Sequence, residues 1–135
     1  MIRRLDDKLW VCGQVTPSEV ASLRDHGVTM LVNNRPDGEE PGQPFAGDIE
    51  AAAEAAGIAY RFAPIQRGIG PAHIAAMKQA MHAAGDGTVL AFCRSGMRSA
   101  MAAALAKREQ GASVEEVERC LSDAGFDSGP IAHLL

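Results

Sequence analysis

Aromatic side chains are scarce in this chain: one Trp, one Tyr and four Phe, 4% of 135 residues. With so few large rings the apolar load falls on Ala, Met and the aliphatic residues, which points to a core of small side chains. Hydrophobic residues still make up 47% and charged residues 22%, an ordinary balance for a soluble globular protein. No apolar run approaches the length of a membrane span, and residues 1–7 lack the apolar centre of a signal peptide. There are only three cysteines, an odd number without paired spacing. That argues against a disulfide scaffold and for a reducing compartment, the cytoplasm by default. The net charge of −4 argues against a nucleic-acid binder. His26, His73, His82 and His133 show no metal-ligand spacing, so neither metal nor cofactor is implied. Repeats and low-complexity tails are also missing, and the length fits one domain over residues 1–135.

The chemistry concentrates in one stretch, Cys93-Arg94-Ser95-Gly96-Met97-Arg98-Ser99. An apolar run, residues 88–92, reads as a buried strand before it, and residues 100–107 read as a helix after it. A thiol therefore sits where a strand turns into a helix N-terminus. Backbone N–H groups there lack intrahelical partners, so the turn binds anions and favours thiolate over thiol. Gly96 lets the backbone wrap closely, and Arg94 and Arg98 add fixed positive charge. A buried structural cysteine is the bland alternative. The loop chemistry instead suggests an enzyme that moves an anionic group onto and off Cys93, with a small anion (thiosulfate, a persulfide or a phosphoester) as substrate.

Strand patterns over residues 9–12, 28–32, 58–62 and 88–93 alternate with helical ones. Thr16-Pro17-Ser18-Glu19 and Ser113-Val114-Glu115-Glu116 are capping boxes, and Pro71 opens a helix to Ala84. The unbroken apolar character of residues 28–32 suggests burial on both faces. The expected fold class is α/β, a three-layer sandwich with a mostly parallel central sheet of about 4 strands flanked by helices. Ligands bind at the carboxyl ends of such strands, where three loops should converge: residues 33–44, 64–70 and 93–98.

Within that site Cys93 is the expected nucleophile. Arg98 would bind the anion through its planar fork. Arg94 either assists or points to solvent. Ser95, Gly96 and Met97 line the loop with backbone N–H groups. Ser99 either donates to the thiolate or caps the helix. Arg35 and Asp37, at the end of the second strand, either form a pocket wall or a salt bridge holding the Cys loop, or simply make a Pro-Asp-Gly turn. Asp37 is the one nearby carboxyl able to serve as a general acid. Glu39 and Glu40 read as solvated, and Cys12 and Cys120 as structural.

The Cys loop resembles two families. Protein tyrosine phosphatases place Arg six residues after Cys; rhodanese-type sulfurtransferases commonly carry Cys-Arg-x-Gly-x-Arg, the spacing of Cys93 and Arg98. Upstream, residues 29–35, 58–62 and Pro64-Ile65 resemble a dual-specificity phosphatase. The features are joined in the phosphatase-like domain of beta-lactamase-hydrolase-like proteins, a family also associated with sulfur transfer. Its likeness here is carried by Gly13-Gln14-Val15, the block Asn33-Asn34-Arg35-Pro36-Asp37-Gly38-Glu39, residues 55–60, residues 93–99 and Asp123-Ala124-Gly125-Phe126-Asp127. The resemblance implies a protein-tyrosine-phosphatase-like fold, favours functional roles for Arg35 and Asp37, and implies a sulfide-oxidising enzyme as a possible partner. Arginine spacing, and the lack of Asp in residues 64–70, favour sulfur transfer through a Cys93 persulfide as the expected activity. Phosphoester hydrolysis through a phosphocysteine is the alternative, and a non-catalytic anion-binding or redox-sensing module a second one.

Overall fold

Three apolar runs, residues 9–12, 28–33 and 88–92, become strands with both faces covered, while residues 59–62 form a largely exposed edge strand. The structure, a computed structural model, describes all residues from Met1 to Leu135. Strands β1 (Arg3–Asp6), β2 (Leu9–Cys12), β3 (Val28–Asn33), β4 (Ala59–Phe62) and β5 (Thr88–Phe92) form one sheet in the order β1-β2-β5-β3-β4. All neighbours are parallel except β1 and β2, which form an antiparallel hairpin. The sheet thus has five strands, not about four. The additional one is β1, whose Arg-Arg-Leu-Asp buries only Leu5 and offers no alternation to read.

Alternate side chains of the sheet feed two apolar layers. Trp10, Cys12, Leu31, Leu90 and Phe92 face one layer, covered by helices α1 (Pro17–Leu23) and α2 (Ala46–Ala55). Leu9, Val11, Met30, Val32, Val89 and Ala91 face the other, covered by α3 (Pro71–Ala84), α4 (Met97–Glu109) and α5 (Val114–Asp123). This is the expected three-layer sandwich, with an apolar layer on each face of the sheet.

Local signals set the helix starts. Thr16 Oγ1 accepts from the Glu19 N–H at 3.2 Å while Glu19 Oε1 accepts from the Thr16 N–H at 2.9 Å, a full capping box worth about 1 kcal/mol. Ser113 caps α5 through the Glu116 N–H alone. In α4, residues Ser99 to Ala106 are all buried, so this alanine-rich helix is surrounded rather than amphipathic. A closing 3₁₀ turn, Gly129–Leu134, buries Ile131 against the same apolar layer.

Strand order puts β5 between β2 and β3, so Cys93 leaves the sheet at its centre, flanked by the chain ends of Cys12 and Asn33. No helix is long and apolar enough to cross a membrane.

Candidate active site

Cys93 follows directly on β5 and is 1% exposed. Its loop is shaped by two glycines. Gly96 adopts φ 97°, a left-handed conformation that disfavours other residues, and a Cβ there would meet the Cys12 backbone at 3.3 Å. Gly13 lies under the loop, where a Cβ would come within 2.9 Å of the Arg94 carbonyl oxygen. The turn so formed points the Gly96 N–H at Cys93 Sγ, 3.1 Å away. The N–H groups of Arg94, Ser95, Arg98 and Ser99 have no protein acceptor, while that of Met97 reaches Ser95 Oγ at 3.4 Å. A sulfur surrounded by unpaired donors at a helix start is a cradle for a tetrahedral anion.

Arg98 is held by one edge. Its Nη1 and Nη2 donate to Glu39 Oε2 and Oε1 at 2.8 and 2.9 Å, and Nη1 also donates to the Ile65 carbonyl at 2.7 Å. A guanidinium has five N–H groups. Three are used, and the two that remain, on Nε and Nη2, lie on one side and form a second fork. The Glu39 hydrogen bond, and to a lesser degree the nearby Cys93 sulfur, hold Arg98 protonated even more firmly than usual.

Glu39 is exposed, as its place in a polar loop suggests, but its carboxylate is also clamped between two arginines. Arg35, 1% exposed, donates from Nε to Glu39 Oε1 at 2.9 Å, from Nη2 to Glu40 Oε1 at 2.9 Å and from Nη1 to Gln14 Oε1 at 3.1 Å. The Arg98 hydrogen bond, helped by Arg35, keeps the Glu39 carboxyl at about 2. The Arg35 hydrogen bond, then the charge of Arg94, likewise lower Glu40. Arg35 therefore supports the Cys loop through Glu39 and Arg98, and anchors residues 34–45 rather than lining a pocket.

Three consecutive polar residues at the end of β3 are buried and each is satisfied. The Arg35 N–H donates to Asn33 Oδ1, and Asn33 Nδ2 donates to the Tyr60 hydroxyl. Asn34 Nδ2 donates to the Ala63 carbonyl at 2.9 Å, and its Oδ1 accepts from Ser99 Oγ at 2.8 Å. Ser99 thus neither reaches the sulfur nor caps α4; it ties that helix to β3. Asp37 Oδ1 accepts the Ala46 N–H at 2.8 Å, at the start of α2. Arg94 extends into solvent, its side chain 68% exposed, with a loose contact to Glu40 at 3.5 Å.

Cys12 shares the opposite apolar layer with Phe92, where burial pushes its thiol up to about 12. It meets Cys93 through the backbone, the Cys93 N–H donating to the Cys12 carbonyl at 3.4 Å. Cys120 lies apart on α5. Gln14, Asn34 and Glu39 make contacts around the Cys loop that local sequence reading misses; their one signal is the density of polar residues directly after a buried strand.

The family described as beta-lactamase hydrolase-like protein, phosphatase-like domain, matches residues 1–110. A beta-lactamase hydrolase-like protein of Xylella fastidiosa (strain Temecula1 / ATCC 700964) is 38% identical over 127 residues, covering 93% of this chain and 29% of that protein. One from Agrobacterium fabrum is 37% identical over 132 residues, again 29% of its length. The chain therefore spans less than a third of the curated relatives it matches. Among solved structures, a candidate phosphatase from Neisseria meningitidis superposes with TM-score 0.80 at 27% identity, covering 98% of this chain and 94% of that one. TpbA of P. aeruginosa, solved in complex with pTyr, superposes with TM-score 0.66 at 19% identity, covering 96% and 76%, a likeness of fold.

Proposed function

This chain belongs to the phosphatase-like domain family of beta-lactamase hydrolase-like proteins, and on that footing we propose that it hydrolyses phosphomonoesters through a phosphocysteine on Cys93. The observation that carries the reading is the open fork of Arg98, fixed beside the sulfur by Glu39 and Ile65. Two parallel N–H donors on a rigid plane match two phosphoryl oxygens. The unpaired N–H groups of Arg94, Ser95 and Ser99 supply further donors to the oxygens that gain charge in the transition state.

In the first step Cys93 Sγ attacks phosphorus and the bond from phosphorus to the ester oxygen breaks. In the second, water attacks phosphorus, the S–P bond breaks, and inorganic phosphate leaves with the thiolate restored. Protonation of the departing oxygen is the weak point. Glu39 and Glu40 are ionised by their arginines and have no proton to give near neutral pH. Asp37, the sequence-level choice for this task, spends an oxygen on capping α2. We therefore assign Asp37 to holding the 34–45 loop against α2. Substrates with acidic leaving groups, which depart without a proton, should turn over best. Loss of 4-nitrophenyl phosphate hydrolysis in Cys93→Ser, with phosphate trapped on wild-type Cys93 by rapid quench and intact mass, tests the reading. Hydrolysis retained in Cys93→Ser would sink it.

Sulfur transfer is the second reading, favoured by the spacing of Arg98 five residues after Cys93 and by the lack of a proton donor, which that chemistry does not need. Sγ would attack the sulfane sulfur of thiosulfate, the S–S bond would break to release sulfite, and the Cys93 persulfide would pass its outer sulfur to a thiolate or cyanide. A sulfide-oxidising enzyme would be its natural supplier. Intact mass after thiosulfate separates the two: one added sulfur, removed by cyanide and dependent on Cys93, supports transfer, and an unchanged mass argues against it.

A further inference from the structure

A cavity of about 360 Å³ opens beside Arg98 and has no role in the chemistry above. Its wall comes from three separate segments: Ile65 and Ile69 after β4, Met97 at the start of α4, and Ile131 and Leu134 of the closing 3₁₀ turn. No carboxylate lines it, and its charged or titratable members are Arg98 and His133. The larger cavity, about 560 Å³, lies on the opposite face of the sheet beside α1, has Arg94 in its lining and includes neither Cys93 nor Arg98.

We propose that the smaller cavity is a specificity pocket for the organic part of the substrate, selecting phosphomonoesters whose body is apolar, uncharged and wider than one ring. The inference rests on the hydrolase reading above and deepens it. One residue belongs to both halves of the argument: Arg98 presents its open fork to the anion and at the same time lines the apolar wall. An occupant must therefore carry an anionic group at one end and an apolar body at the other. The volume sits at the lower end of small-ligand pockets, enough for a one- or two-ring body and too small for a nucleotide with its sugar and base. A polyanion would find Arg98 as the only fixed positive charge in this wall. Thiosulfate would leave the pocket empty.

Two activated aryl esters, 4-nitrophenyl phosphate and 4-methylumbelliferyl phosphate, test it. Their leaving groups are both acidic phenols, and the second adds a fused ring. In the wild-type protein KM for the bicyclic ester should be about fivefold lower, from the added apolar area buried. Leu134, 48% exposed, is a surface position where a charge does not threaten folding. Leu134→Asp should raise KM for the bicyclic ester about fivefold while the two kcat values keep their ratio. Equal KM values in the wild type, or a preference untouched by Leu134→Asp, would overturn the pocket and leave the hydrolase reading standing. No Cys93-dependent turnover of either ester would overturn both.

Discussion

Replacing Glu39 with Gln tests the clamp that orients the site. The carboxyl is held at about 2 against an ordinary 4.5. At 1.36 kcal/mol per pH unit that difference corresponds to about 3 kcal/mol. The side chain is 24% exposed, and water screening brings the expected contribution down to about 2 kcal/mol. The unfolded carboxyl takes up its proton near 4.5 and the folded one near 2, so the stabilisation is complete above the unfolded value and fades as pH falls through the folded one. Urea unfolding of both proteins at pH 7 and pH 3 reads this directly. Glu39→Gln should lose about 2 kcal/mol at pH 7. By pH 3 the gap should have shrunk to about half or less. With its oxygen in the place of Oε1 the amide still accepts from Arg35 Nε and Arg98 Nη2, but it turns an N–H toward Arg98 Nη1, so Arg98 loses its double anchor. Turnover should fall at least about tenfold from misplacement alone. A variant within about 0.5 kcal/mol of wild type at pH 7, or a deficit that does not change down to pH 3, refutes the clamp.

Ser99→Ala should cost about 1–3 kcal/mol in urea unfolding, because Asn34 Oδ1 is left buried without its donor; an unchanged midpoint would mean the bond contributes nothing. Asp37→Ala should cost about 1 kcal/mol through the lost cap on α2, and Asp37→Asn much less, since an amide oxygen still accepts the Ala46 N–H. Asp37→Asn should also leave the ratio of rates on poor and good leaving groups unchanged, and a loss confined to poor ones would make Asp37 the proton donor after all. Gly13→Ala should push the Arg94 carbonyl, 2.9 Å from the new Cβ, and with it the Cys loop. We expect turnover to drop about tenfold with little change in thermal midpoint, because the displaced atoms belong to the site more than to the core. Full activity in Gly13→Ala would show that the loop tolerates the shift.

The parts of this fold that can be read from the chain are those whose cause is local. Residues 88–92 followed by Cys93 and Gly96 mark strand, turn and helix start within one short window. Pro71 places the start of α3, and Thr16 with Glu19 the start of α1, because caps act over three residues. β1 escapes because its pairing with β2, rather than its own pattern, makes it a strand. Glu39 escapes for a different reason. A carboxylate in a Gly- and Pro-rich segment reads as solvated until the segment folds back 59 residues away in sequence onto Arg98. Asp37 and Ala46, nine residues apart, likewise meet only because the loop between them closes. The burial of Arg35 is not legible, since the partners that make it tolerable come from three separate residues.

The helix that carries Arg98 also bears on how relatives of this chain can diverge. From Ser99 to Ala106 α4 has no side facing water, and five of its buried positions are already alanine: Ala100, Ala102, Ala103, Ala104 and Ala106. A larger residue at any of them overpacks its neighbours at about 1–3 kcal/mol. The one smaller residue, glycine, gives up about 1 kcal/mol of helix propensity. Substitution is thus closed in both directions along the segment that aims the anion fork. Inherited change is left to the surfaces around it: the clamp loop, the strand-to-helix connection after β4 and the closing turn. New substrates would then arise by rebuilding the walls of the site while its floor stays the same.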